Sequence, residues 1–176
     1  MNAMKLWRTI VSMTVAAAAV LVLPAAAEAS ASTGDYCVQD LAGGPSACFT
    51  TERALESYQA ELSLSPLLTV YRNTGQLGAG GYLNFASAYG RTYCDDATNV
   101  NEASSGALSA LKFSTGQTVD LAISSYVIAP NSGCVVVFFD QASFNGNAAG
   151  WGGNCSAMAS CFGSYWDNRA RSLAVT

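Results

Sequence analysis

Apolar positions along this chain fall into one long block near the start and a series of short runs after it. The block, residues 10–23, lies behind Lys5 and Arg8 and is ended by Pro24. Ala27-Glu28-Ala29 then offers a small-x-small cleavage pattern. That order of features reads as an export signal over residues 1–29, because the run falls short of the ~20 residues a spanning helix needs. No later stretch is long and apolar enough to span a bilayer, so no membrane contact is expected once the signal is removed.

The short runs read as strands, because they are β-branched and aromatic and bounded by turn residues. Residues 37–41 and 47–49 form two such runs around Gly43-Gly44-Pro45, the pattern of a hairpin. Helical periodicity follows: Thr50 or Thr51 can cap a helix with Glu52 in its first turn. Ala54, Leu55, Tyr58 and Leu62 make one apolar stripe, with Arg53, Glu56, Gln59 and Glu61 facing out. Residues 30–65 are thus expected to form a small hairpin–helix unit. Beyond Pro66 the period returns to two: residues 67–71, an Asn73-Thr74-Gly75 turn, and residues 81–85. Residues 119–128 read as an extra or extended strand, and residues 135–139 as a continuous apolar strand.

That last strand runs into Phe139-Asp140-Gln141-Ala142-Ser143-Phe144-Asn145-Gly146. An aromatic, four residues, an aromatic, any residue and glycine is the first half of a Greek key that resembles those of the βγ-crystallins. In that family the glycine lets the first hairpin fold over the sheet, and a serine before the last strand ties it down. Ser172, ahead of Leu173-Ala174-Val175, matches the serine, and Trp166 sits where an aromatic is common. An earlier copy is degenerate. Tyr71 is followed by Leu77 after five residues, and Ala79-Gly80 stands at the glycine. The segment from Ser104 to Ser109 ahead of Ala110-Leu111-Lys112-Phe113 parallels the segment from Asp167 to Ser172. Two copies imply a duplication, with keys at about residues 66–128 and 132–176. The fold expected is an all-β, βγ-crystallin-like sandwich of two Greek keys over residues 66–176, carrying the hairpin–helix extension.

Composition adds compartment and partners. Without the signal the chain has about 6 basic and 11 acidic residues and no basic run, which excludes nucleic acid as a partner. All six cysteines, Cys37, Cys48, Cys94, Cys134, Cys155 and Cys161, lie beyond the signal, and an even count in an exported chain points to disulfides. The sequence alone does not choose among the pairings. Local geometry favours Cys37–Cys48 across the hairpin, Cys155–Cys161 in a tight loop, and Cys94–Cys134 between the halves. A zinc site is the weaker reading, without histidine or paired CxxC spacing. Asn154 opens a formal glycosylation sequon beside a cysteine, which gives it little weight.

Chemistry is scarce. The chain has no histidine, which removes Ser-His-Asp and Cys-His nucleophile arrangements. The glycine clusters at residues 78–81 and 150–153 lack the lysine or helix of a phosphate loop and read as turns. Asp95, Asp96, Glu102, Asp120, Asp140 and Asp167 are the remaining acid–base candidates, with no pairing evident, so no catalytic residue is assigned and no enzyme is expected.

The crystallin resemblance raises calcium. Calcium-binding members place two acids or amides, two free positions, then Ser/Thr and Ser before the final strand. Asp167, Asn168 and Ser172 match, but Arg171 stands at the Ser/Thr ligand. In the first key Ser104-Ser105 replaces the acids and Leu108 the same ligand. No metal or other cofactor is therefore expected.

The cysteines, the signal and the well-formed key are also similar to secreted actinobacterial proteins grouped with the streptomycete metalloproteinase-inhibitor family. That resemblance implies a secreted, monomeric, non-enzymatic binder, with an extracellular protease as one target. The family's contact residues have no match here, and residues 75–81 and 145–154 are candidates only as exposed turns. The alternatives are a module for carbohydrate or cell-wall polymer, using aromatics such as Tyr82, Tyr89, Tyr93, Trp151 and Tyr165, and a purely structural or stress-related secreted protein.

Overall fold

The computed structural model describes residues 35–90, 94 and 103–176. The residues read as an export signal, and Tyr93, Asp95, Asp96 and Glu102, lie outside that range. The elements are β1 (Tyr36–Asp40), β2 (Ser46–Phe49), α1 (Glu52–Glu61), β3 (Ser65–Tyr71), β4 (Tyr82–Ser87), β5 (Ala103–Ser105), β6 (Ser125–Ile128), β7 (Val136–Phe139), β8 (Ala148–Trp151), α2 (Met158–Cys161) and β9 (Ser172–Val175). They make two sheets, ordered β2-β1-β4-β3-β6 and β5-β9-β7-β8.

Each key lends its third strand to the other sheet. β5 leaves the first key to pair with β9. In the second key the exchange shrinks to one bridge, Tyr126 with Cys155. Asn154 Oδ1 reinforces it by accepting the Ile128 N–H at 2.9 Å. Val70, Leu83 and Phe85 from one sheet meet Val136, Phe138 and Leu173 from the other in a single core. Burying such side chains is the dominant stabilising term. The result is an all-β sandwich of two Greek keys with the βγ-crystallin-like layout.

The keys are held by matching hydrogen bonds. Ser172 Oγ donates to the Gln141 carbonyl at 2.7 Å and accepts the Phe144 N–H at 3.1 Å. Ser125 Oγ donates to the Asn73 carbonyl at 2.6 Å and accepts the Gln76 N–H at 3.1 Å. This corrects the first key in two places. Its serine is Ser125, not Ser109. Residues 108–110 form a 3-10 turn with Ser109 exposed, while residues 103–105 supply the crossing strand. Its corner residue is Gln76, at the regular spacing from Tyr71, and not Leu77.

Leu77 and Gly78 are an insertion. Arg72 N–H bonds the Gly81 carbonyl as Asp140 N–H bonds that of Asn147, so the first hairpin is two residues longer. Gly80 corresponds to Gly146: a Cβ on Gly80 would meet the Asn73 side chain, and one on Gly146 the side chains of Asp140 and Gln141.

The extension adds β1 and β2 to the first sheet. β1 pairs β2 antiparallel, with Cys37 opposite Cys48, and pairs β4 in parallel. Disulfides join Cys37 to Cys48, Cys94 to Cys134, and Cys155 to Cys161. Thr51 caps α1, its Oγ1 accepting the Ala54 N–H at 3.2 Å. The helix lies on the outer face of the sheet, where Leu55 packs with Val38, Leu64 and Ala86. Leu62 does not join this stripe: the helix ends at Glu61, Leu62 falls at its C-cap and is exposed, and Leu64 is buried in its place.

Candidate ligand groove

α1 covers only part of that outer face. Strand alternation turns Leu83 and Phe85 of β4, and Val70 of β3, into the core. Tyr82 and Asn84 of β4, and Thr69 and Tyr71 of β3, therefore face outward. Register sets Tyr71 opposite Tyr82 and Thr69 opposite Asn84. On β1, Val38 is opposite Asn84, which brings Tyr36 alongside Tyr82. Three tyrosines from three adjacent strands thus form a row. Tyr36 and Tyr82 meet edge to face with centroids 6.5 Å apart, and Tyr71 and Tyr82 are tilted at 6.1 Å.

The row floors a groove of about 390 Å³ that Glu52, in the first turn of α1, borders. Each ring is half-buried, so it is fixed yet keeps a face toward the groove. Below the row, Thr69 Oγ1 donates to Asn84 Oδ1 at 2.7 Å, which orients the amide. Burial first, then Tyr36, Glu52 and Asp35, push the Tyr82 hydroxyl up to about 12. It stays protonated and able to donate. Burial also raises Tyr71. No basic side chain lines the groove among the described residues. Flat apolar rings edged by amide, hydroxyl and carboxylate suit a ligand with an apolar face and a polar rim.

A second cavity, about 550 Å³, lies between the keys and is lined by Arg72, Asn73, Thr74, Leu121, Ser124 and Asn168 among others. With Ser125 aligned to Ser172, the segment aligned with Asp167 to Ser172 is Asp120-Leu121-Ala122-Ile123-Ser124-Ser125. The first-key Ser/Thr position is therefore Ser124, not Leu108. Ser124 Oγ donates to Asn168 Oδ1 at 3.0 Å, joining oxygens from both keys. The mirror positions hold Leu121 and Arg171. Calcium wants six to eight oxygens, with carboxylates among them. Among the described residues this lining has no carboxylate, and it carries the Arg72 guanidinium. Asp167, which keeps one buried oxygen without a hydrogen-bond partner, is not part of it. The donor set does not fit a tightly held ion. Nor does any group of three or more His, Cys, Asp or Glu side chains suited to a metal gather among the described residues.

The remaining sequence candidates are scattered. Phe139 and Phe144 pack edge to face at 5.7 Å, and buried Trp166 packs on Phe162 and Tyr165. Gly146 has φ +81. Asp140 is tied up: the Tyr165 hydroxyl, then Asn147, hold its carboxyl below the ordinary range. Arg169 stacks over the Tyr165 ring. Trp151 is exposed on β8, an edge strand of the other sheet, Tyr165 follows α2, and Tyr89 lies beyond β4. Of the aromatics named from sequence that lie among the described residues, Tyr82 alone lines the groove. Tyr36, Tyr71, Thr69, Asn84 and Glu52 are not among the sequence candidates: alternation marks Thr69, Tyr71 and Asn84 as outward-facing, but only the pairing of β1 with β4 brings Tyr36 beside Tyr82.

No family model matches the chain, and no curated protein matches it. Solved structures similar to it include the N-terminal domain of protein S, at 15% identity and TM-score 0.41, covering 62% of this chain and 94% of that one. A βγ-crystallin domain from Flavobacterium johnsoniae gives 18% and 0.39, covering 62% and 93%. One from Clostridium beijerinckii gives 13% and 0.42, covering 62% and 95%. At such identities the likeness is one of fold alone.

Proposed function

We propose that this chain is an exported, non-enzymatic binding protein whose ligand is a saccharide surface, held along the row of Tyr36, Tyr82 and Tyr71. The tyrosine row carries the reading. A sugar ring offers an apolar C–H face that stacks on an aromatic ring, while its hydroxyls reach the Asn84 amide and the Glu52 carboxylate. Holding the rings in place before binding lowers the entropy cost of association. Three disulfides are consistent with an oxidising compartment. No helix among the described residues is long and apolar enough to cross a membrane.

Protease inhibition draws less support. In the 75–81 loop Leu77 is 59% exposed and extended, but its neighbour Gln76 is left-handed at φ +59, so no substrate-like extended run is presented. In the 145–154 loop, Ala148–Trp151 is β8, paired along β7.

The deciding experiment is a pull-down of the oxidised mature protein on insoluble cellulose, chitin and cell wall, with Tyr82→Ala and Trp151→Ala beside it. Retention lost in Tyr82→Ala and kept in Trp151→Ala is expected. Retention that follows Trp151 instead, or none at all, would sink the reading. Titration of metallo- and serine proteases to a stoichiometric endpoint would replace it with the inhibitor.

A further inference from the structure

The groove has a charge as well as a shape. Among the described residues the one carboxylate lining it is Glu52, and Asp35, next to Tyr36 in the chain, also acts on Tyr82. Two acids and three aromatic faces, with no basic residue lining the groove, form a surface that attracts cations twice over. The ring faces attract a cation through their quadrupoles, and the carboxylates attract it directly. Tyr82 is the middle ring of the row, touching both others, and Glu52 lines the same groove, so an ammonium over Tyr82 has a ring face and a carboxylate in one groove.

Resting on the saccharide reading above, we infer that the groove selects an amino sugar with a free, protonated amine, and that Glu52 and the Tyr82 ring receive the ammonium. A neutral acetamido sugar stacks on the same rings but leaves the carboxylates unpaired. Basic peptides share the ammonium, but cannot add here as a strand. Here β1, β4 and β3 are each paired on both sides, so a ligand can lie only across their side chains.

The test is calorimetric titration of the oxidised mature protein with β-1,4-linked hexamers of glucosamine and of N-acetylglucosamine, and with hexalysine. The free-amine hexamer should bind about five- to thirtyfold tighter than the acetylated one, as one cation–π contact and an exposed ion pair allow. Glu52→Gln, at an exposed first-turn position, should erase most of that preference, because it weakens binding of the amine hexamer far more than that of the acetylated one. Asp35→Asn should reduce the preference less. Equal binding of both hexamers would overturn this inference while leaving the saccharide reading intact, and binding of neither would overturn both. A preference untouched in Glu52→Gln would place the selecting charge elsewhere and overturn the inference. Hexalysine binding as tightly as the amine hexamer would replace the sugar with a basic peptide.

Discussion

The two Greek keys solve one folding problem with different side chains. In the second, Phe139 and Phe144 cross edge to face, Gly146 takes φ +81, and Ser172 ties the hairpin down. In the first, Gln76 replaces the second aromatic and sends its Nε2 to the Tyr126 carbonyl at 3.1 Å. Two residues are inserted after it, yet Ser125 makes the same pair of hydrogen bonds. The backbone agrees as well: Gly75 and Gln76 are left-handed at φ +71 and +59, and Ser143 and Phe144 at +57 and +60. What both keys keep is the left-handed pair and the serine. The aromatic corner is one way of filling the space, and a hydrogen-bonded amide is another.

The serines should give the largest effects. Ser172→Ala and Ser125→Ala each strand a carbonyl and an N–H under a folded hairpin, which costs about 2–4 kcal/mol. Urea unfolding of both variants checks it. If Ser125→Ala cost less than a quarter of Ser172→Ala, the first key would be held by Gln76 instead, and the equivalence of the keys would fail.

The glycines come next. Gly146→Ala meets both a left-handed φ and the Asp140 and Gln141 side chains. It should cost about 2 kcal/mol or somewhat more. Gly78→Ala, in the insertion, has Tyr82 no nearer than 3.7 Å and should change stability by less than about 0.5 kcal/mol. Comparable losses at the two sites would refute the two-residue insertion.

A smaller effect should stabilise. Tyr126 in β6 corresponds to Leu173 in β9. It is fully buried against Phe138 and Phe162, its hydroxyl has no hydrogen-bond partner, and burial pushes that hydroxyl's pKa well up. Tyr126→Phe removes the stranded group without opening a sizeable cavity and should gain about 1 kcal/mol. A thermal melt showing a loss instead would mean that the hydroxyl has a partner in solution.

Legibility in the sequence followed the same divide. The second key could be read from its letters, because its aromatics and glycine act through side-chain identity and φ, and both leave a mark on composition. The first could not be read in register, because its serine works through backbone partners. A backbone acceptor at Asn73 looks like any other residue, so the letters lead to Ser109, with an apolar run behind it, and give no mark to Ser125. The groove was hidden for another reason. Tyr36, Tyr82 and Tyr71 lie far apart in the chain and meet only because β1 joins β4 in parallel. A partner strand supplied by the extension cannot be inferred from alternation within one strand. Leu62 failed more simply: helical spacing does not say where the helix stops.

Calcium sharpens the comparison last and most finely, because the keys differ most at these positions. One cross-key pair keeps its oxygens, Ser124 from the first key and Asn168 from the second. The mirror pair is Leu121 and Arg171, an apolar side chain and a cation. The native protein should show no change in melting temperature at submillimolar calcium, since the surviving pocket offers no carboxylate and Arg72 stands on its rim. Leu121→Asn with Arg171→Ser would rebuild the missing pair by the geometry the other already shows. Extracellular sites of low ligand charge bind calcium at about 0.1–1 mM. Calcium at a concentration equal to Kd would then add about 0.4 kcal/mol, a shift of roughly 1–3 °C in the variant alone. A native protein that responded as strongly would show that one hydroxyl, one amide and backbone carbonyls suffice beside a guanidinium. A folded double variant with no response would show that pairing oxygens across the keys is not what makes the site, and that the lost charge at Arg171 and Leu121 must be replaced by acid.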